Sequence, residues 1–227
     1  MKIVNFSDTH NLHDQVKLPK CDIAIFAGDL SGRGNRMEIA FFLRWFGKQD
    51  QCRYKVMTIG NHDLGFDKKH DEETHAYNWL DDLVQKHSNI TILNNSSVNI
   101  EGINIWGSPA TPWYHGDRWA FNYKKADIGD IWELIPNNTD ILVTHGPAFG
   151  ILDEIFDGRH VGCIQLLDKI KEIKPKYHIC GHIHEGYGIV EQDDTIFINC
   201  SVVDVDYYPT NKPIKIKYKK IISIEDV

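Results

Sequence analysis

The sequence predicts an α/β sandwich, two sheets flanked by helices, and three observations carry that expectation. Short runs rich in Ile and Val recur along the chain. Segments with helical periodicity separate several of them, and further stretches alternate like hairpin or edge strands. The 227 residues fit one such domain, so residues 1–227 are read as a single unit. Hydrophobic residues at 42% and charged residues at 25% are ordinary for a globular chain and argue against disorder.

The first strand is "KIVNF", which leads into Ser7-Asp8-Thr9-His10. "CDIAIFA" is the second and leads into Gly28-Asp29. Residues 35–48 then read as a mostly buried helix, capped by Asn35 and stopped near Gly47. "YKVMTI" is a third strand, ending in Gly60-Asn61-His62-Asp63. Residues 71–87 place Ala76, Trp79, Leu80 and Leu83 on one helical face. Residues 89–107 read as two strands around a polar turn. "DILVT" runs into His145-Gly146-Pro147, residues 161–173 read as a helix stopped by Pro175, and "YHIC" runs into Gly181-His182-Ile183-His184. A strand over 195–203 and an alternating edge strand, "KPIKIKYKKIISI", complete the chain.

Five of these strands end in metal-binding residue types. Ligands in open α/β sheets bind beyond the carboxyl ends of strands, so the clusters are read as one site. Asp8 and His10, and again His182 and His184, are separated by one residue, which on an extended chain sends both side chains the same way. Asp29, Asn61 and His145 complete a set of two carboxylates, one carboxamide and four imidazoles. Such donors suit Mn²⁺, Fe, Zn, Ni or Co rather than Ca or Mg. Seven groups exceed one tetrahedral ion and suit two divalent metal ions with a shared carboxylate.

The ordered set D-x-H, G-D, G-N-H-D, H, G-H-x-H resembles the calcineurin-like metallophosphoesterase superfamily over about residues 1–200. "GSPATPWYHGDRWAFN", "THGPAFGILD", "RHVGCIQLLDKIKEIKPKYHICGHIHEGYG" and "FINCSVVDVDYYPTNKPI" look closest to the metallophosphoesterase-domain-containing family and its bacterial and phage relatives. The resemblance implies a four-layer α/β/β/α sandwich of two mixed β-sheets flanked by helices. It implies that Asp8, His10 and His184 hold one metal, that Asn61, His145 and His182 hold the other, and that Asp29 bridges them. His62 would sit near the second metal as a proton donor, oriented by Asp63. Some relatives lack one histidine of the G-H-x-H element and are weak enzymes; this chain keeps both, which implies the active form. The implied activity is hydrolysis of a small nucleotide-like or aryl phosphodiester by hydroxide attack on phosphorus, with a phosphomonoester as the alternative substrate and a non-catalytic binding module as a third reading.

Arg33 lies just past Asp29 and is a candidate contact for substrate phosphate, as are Asn61 and His62. His13 and Asp14 read as solvated loop residues, and Glu185 and Tyr187 as turn residues at the edge of a cleft. Trp113, Trp119 and Phe121 are expected in the core. The net charge of −7 leaves no basic stripe for nucleic acid, and no segment is apolar enough for a membrane. Five cysteines without close spacing suggest neither a disulfide framework nor a CxxC zinc site. A reducing compartment, the cytoplasm, is the expected location.

Overall fold

A computed structural model describes residues 1–67, 69, 78–114 and 116–218. Its strands are β1 (Lys2–Phe6), β2 (Cys21–Ala27), β3 (Cys52–Thr58), β4 (Ile90–Ile92), β5 (Ser96–Ile100), β6 (Ile103–Ser108), β7 (Thr111–Pro112), β8 (Asn122–Tyr123), β9 (Ile141–Thr144), β10 (Tyr177–Cys180), β11 (Gly188–Gln192), β12 (Thr195–Asn199) and β13 (Ile214–Lys217). Its α-helices are α1 (Arg36–Gly47), α2 (Asn78–Lys86), α3 (Lys125–Trp132) and α4 (Ile164–Ile173). One sheet has the order β13-β1-β2-β3-β4 and the other β11-β12-β10-β9-β6-β5; β7 and β8 form a separate pair. In the first, β1 to β4 run parallel and β13 is antiparallel at the edge. In the second, β12, β10, β9 and β6 run parallel, with β11 and β5 antiparallel at the edges.

The period of two along each strand divides its side chains between layers. In β2, Ile23, Ile25 and Ala27 face the space between the sheets, while Ala24 and Phe26 face the helical layer. Ile105, Val143, Ile179 and Ile198 supply the matching inner face of the second sheet. Trp106, Leu142 and Phe197 turn outward to the side chains of α3 and α4. Phe42 and Phe46 of α1 cover the outer face of the first sheet. The result is the four-layer α/β/β/α sandwich. Each fully buried Ile, Val or Phe here contributes about 1.5–3 kcal/mol.

Local chemistry sets several boundaries. Asn35 caps α1 by accepting from the amides of Met37 and Glu38, and Glu38 returns a bond to the Asn35 amide at 3.0 Å, a capping box. Glu101 and Gly102 both have positive φ, the twist that closes the β5–β6 hairpin. The expectation of two strands over 89–107 is corrected to three. β4 pairs with β3 in the first sheet, and the chain then crosses to the second. The helix expected over 71–87 is described only from Asn78, and the edge strand only as β13; the remainder of each lies outside the described residues. α3 was not expected: it is short and has Gly129 in its interior, which weakens its periodic signal. The five cysteines are free and buried. Among the described residues, no helix is long and apolar enough to cross a membrane.

Candidate metal centre

Five parallel strands, three from one sheet and two from the other, deliver their carboxyl ends to one place. The segments after β1, β2, β3, β9 and β10 carry Asp8 and His10, Asp29, Asn61 and His62, His145, and His182 and His184. Asp8, His10, Asp29 and His182 have φ of 53°, 39°, 58° and 68°, a left-handed backbone that is costly for side chains other than glycine and clusters at functional sites. Two glycines permit the close approach. A Cβ on Gly60 would overlap the Asp29 carboxylate, and one on Gly181 would overlap Asp8 and Ser7. These contacts give the G-N and G-H pairs of the sequence a steric reason.

Asp8, His10 and His184 offer ligand atoms that all lie within 4.8 Å of one another, as do Asp29, His145 and His182. Asp29 lies between the two groups: its Oδ2 is 3.8 Å from His10 Nε2 and 3.3 Å from His145 Nε2. Asn61 joins the second group through a 2.9 Å bond between its Oδ1 and His145 Nε2. Backbone carbonyls orient three of the imidazoles. Nδ1 of His10 donates to Ser31 at 3.2 Å, Nδ1 of His145 to Ala27 at 2.9 Å, and Nδ1 of His184 to Asp204 at 3.0 Å. That fixes Nε2 as the nitrogen turned to the centre, the arrangement metal-binding histidines use. The carboxylates are held as well: Asp8 accepts from Ser7 Oγ and the His182 amide, and Asp29 from the His62 amide at 2.8 Å.

Two buried atoms fit a bound cation. His10 Nε2 and Asn61 Nδ2 are sealed from solvent with no hydrogen-bond partner. Leaving such groups bare costs about 1–3 kcal/mol each. A bound cation would take the His10 lone pair, and rotation of the Asn61 amide would turn its oxygen to the same space. The charges agree. Burial pushes the Asp8 and Asp29 carboxyls up, but His184 beside Asp8 and His145 beside Asp29 outweigh it and hold both below the usual range. Burial pulls His145 down, yet Asp29 lifts it to about 9; Asp8 likewise lifts His184 against its burial. Burial carries His10 down to about 4 and His182 to about 3. The centre therefore holds two carboxylates that draw positive charge toward His145 and His184.

The family model for calcineurin-like phosphoesterases matches residues 1–186. The chain belongs to that family. The human and mouse proteins called metallophosphoesterase domain-containing protein 1 are each 35% identical to it, with 95% of this chain and 70% of theirs covered. The fold of phosphopantetheinyl hydrolase from Mycobacterium tuberculosis is similar at a TM-score of 0.61 and 15% identity, covering 94% of this chain and 95% of that one. This phosphoesterase is thus a member of a family of phosphoric ester hydrolases that use divalent metal ions, with Asp and His groups placed to bind them.

Several expectations about this phosphoesterase's site are corrected. Asp63 does not orient His62. It accepts from Ser31 Oγ at 2.6 Å, Ser31 N at 3.1 Å, Leu30 N at 3.3 Å and Gly60 N at 2.9 Å, so it ties the turn after β2 to the turn after β3. Burial and the Asp29 charge push its carboxyl up to about 7. The carbonyl of Gly32 holds His62 instead, 3.0 Å from Nδ1. The His62 ring lies 4.6 Å from that of His10, and His62 offers a ligand atom within 4.8 Å of those of His10 and Asp29. Trp113 is not core but 47% exposed, and Trp119 packs on His62 with ring centroids 4.2 Å apart; only Phe121 is buried as expected. His13 packs against Phe42 and Trp45 rather than being solvated. Arg33 is exposed, its guanidinium 5.1 Å from the Trp119 ring.

A cleft of about 570 Å³ opens above Asp29, His62, His182 and His184. Trp113 and Tyr114 form one wall, Ile155 and Val161 another. Sequence reasoning missed Tyr207, which closes the third side with its ring 4.7 Å from His10 and 5.1 Å from His184. The available signal was "DVDYYPTN": Asp204 accepts from the amides of Asp206 and Tyr208, building the turn that presents Tyr207, while its carbonyl holds His184. Tyr114 was missed too; its ring lies 5.5 Å from that of His182.

Proposed function

We propose that this protein is a dinuclear metal-dependent phosphodiesterase acting on small nucleotide-like or aryl diesters. The observation that supports the reading is the two ligand groups Asp8-His10-His184 and Asp29-His145-His182, linked by a third in which Asp29 meets His10 and His62, with His10 Nε2 and Asn61 Nδ2 buried and unpartnered. Asp8, His10 and His184 would hold one ion, Asn61, His145 and His182 the other, and Asp29 both. When bound, two divalent cations, with Mn²⁺ the first choice, neutralise phosphoryl charge and make water nucleophilic near neutral pH.

The chain's own groups do the rest. The Gly32 carbonyl fixes the His62 tautomer and leaves Nε2, 4.0 Å from Asp29 Oδ2, at the floor of the cleft. From there a protonated His62 can donate to the departing alkoxide. Arg33 and Asn61 remain candidates for contact with substrate oxygens, Arg33 from the rim. The cleft favours a diester. It has apolar walls on two sides of the floor, room for two ester arms. Arg159 is the one Lys or Arg lining it among the described residues, and its guanidinium is paired with Asp157 at 2.7 Å, so a dianionic monoester would gain little from it.

The test is turnover of a chromogenic diester and of the matching monoester by the Mn²⁺-reconstituted protein. A clear diester preference, absent from an Asp29→Ala/His184→Ala double variant, is expected. Equal rates in the protein and the double variant would overturn the enzyme reading, and a strong monoester preference would overturn the diester one.

A further inference from the structure

We infer that Trp119 is a positioning residue for His62, holding the imidazole at the angle from which it reaches the leaving group. The inference rests on the proposed role of His62 as proton donor. The His62 ring is restrained on three sides. Its Nδ1 is tied to the Gly32 carbonyl, its edge meets His10, and its face lies on Trp119 at 4.2 Å with an interplanar angle of 32°. The first two restraints do not fix rotation about the Nδ1 contact. A flat indole against the imidazole face does, because tilting the ring would drive it into the indole.

Trp119 is itself anchored. The next residue, Ala120, donates its amide to the carbonyl of Asn61 at 3.0 Å, so the indole is registered directly on the peptide that precedes His62. Phe121 donates its amide to Asp67 at 3.0 Å and buries its ring with Ile59 and Ala120. On the indole, the Arg33 guanidinium lies 5.1 Å from the ring centroid. Arg33, Trp119 and His62 thus form a stack that runs from the exposed rim to the floor of the cleft.

A proton donor matters most when the departing oxygen is basic. A para-nitrophenolate departs without a proton, whereas an unsubstituted phenolate or an alkoxide benefits from one. Trp119→Ala should therefore slow the phenyl diester at least about tenfold while slowing the para-nitrophenyl diester less than about threefold, within the range general acids contribute. His62→Ala should show the same selectivity, larger in size. Trp119→Phe, which keeps a flat ring, should restore most of the phenyl ester rate, with metal content unchanged throughout. Equal loss on both esters, or no loss on either, overturns the inference. If His62→Ala is itself unselective, the proton-donor reading fails, and the positioning claim is judged by proton NMR of the metal-free protein. There the indole shields the His62 ring protons, and Trp119→Ala should shift them downfield. His62 signals that stay in place in that variant sink the claim even where the kinetics agree.

Discussion

The two halves of the candidate metal centre offer similar donors at partly different depths. In the half made by Asp8, His10 and His184, the imidazoles keep 5% and 10% of their side-chain exposure, and Tyr207 leans over them from the rim. In the other half Asn61 and His145 are fully sealed, and His182 alone reaches the cleft. Each half pairs one imidazole whose hold on a proton a neighbouring carboxylate strengthens with one that burial weakens: His184 with His10, and His145 with His182. The lesson is that depth and carboxylate distance set how hard a proton competes with a metal. His145, 3.3 Å from Asp29, holds its proton up to about 9.

The largest expected effect comes from removing what the halves share. Asp29→Ala should lower kcat/KM by about a thousandfold or more, the scale on which preorganised charge acts, and leave less than one equivalent of metal by elemental analysis. A variant that keeps two ions would dissolve the idea of a shared carboxylate. Next come the paired histidines. His184→Ala should lose the ion of the Asp8 and His10 half, and His182→Ala the ion of the Asn61 and His145 half. Anomalous diffraction from crystals of each variant reads this directly, and loss of the same ion from both breaks the division.

Acidity separates the halves more finely. His145 is raised above its ordinary 6.5, so its contribution to the stability of the metal-free protein is complete below 6.5 and disappears as pH rises through about 9. His10 and His182 are depressed, so theirs is present above 6.5 and disappears as pH falls toward about 4 and about 3. The melting temperature of metal-free protein should peak near neutrality and fall on both sides. A metal held as proposed would take the place of the His145 proton, so the loaded protein should lack the alkaline decline. Melts followed by circular dichroism with and without chelator decide it: a metal-free curve that stays flat up to the pKa of about 9 refutes the assignment. Smaller still, Gly181→Ala should disturb the Asp8 half and Gly60→Ala the shared Asp29, each costing about 1–3 kcal/mol in chemical denaturation. Asn35→Ala, at the cap of α1, should cost about 1 kcal/mol and leave metal content unaltered.

Which parts of this were legible in the sequence follows a physical line. Short buried strands announce themselves by continuous Ile and Val, and a polar cluster after each is visible at once, as with Asp8 after "KIVNF" and His145 after "DILVT". Which sheet a strand joins is not local: β4 lies only four residues before β5 and pairs across the molecule from it. Hydrogen-bond partners are equally non-local. Asp63 follows His62 in the chain, yet two amides, a hydroxyl and a third amide from the turns after β2 and β3 outbid the imidazole. Cleft residues such as Tyr207 and Trp113 escape because an aromatic side chain in a loop reads the same whether it faces the core or the opening.

One feature carries a mechanical consequence. Each ligand group draws from both sheets: Asp8 and His10 follow one strand of the first and His184 a strand of the second, while Asn61 and Asp29 oppose His145 and His182. Below them Ile25 and Val56 pack against Val143 and Ile179, and the Tyr218 hydroxyl bonds Asp140 at 3.0 Å between the sheets. Ions seated there would act as rivets through two plates at their open end. Their removal would be felt first as loosening along the seam, in the exchange of amides at the tips of β1 and β10, before any change in the helices that cover the outer faces.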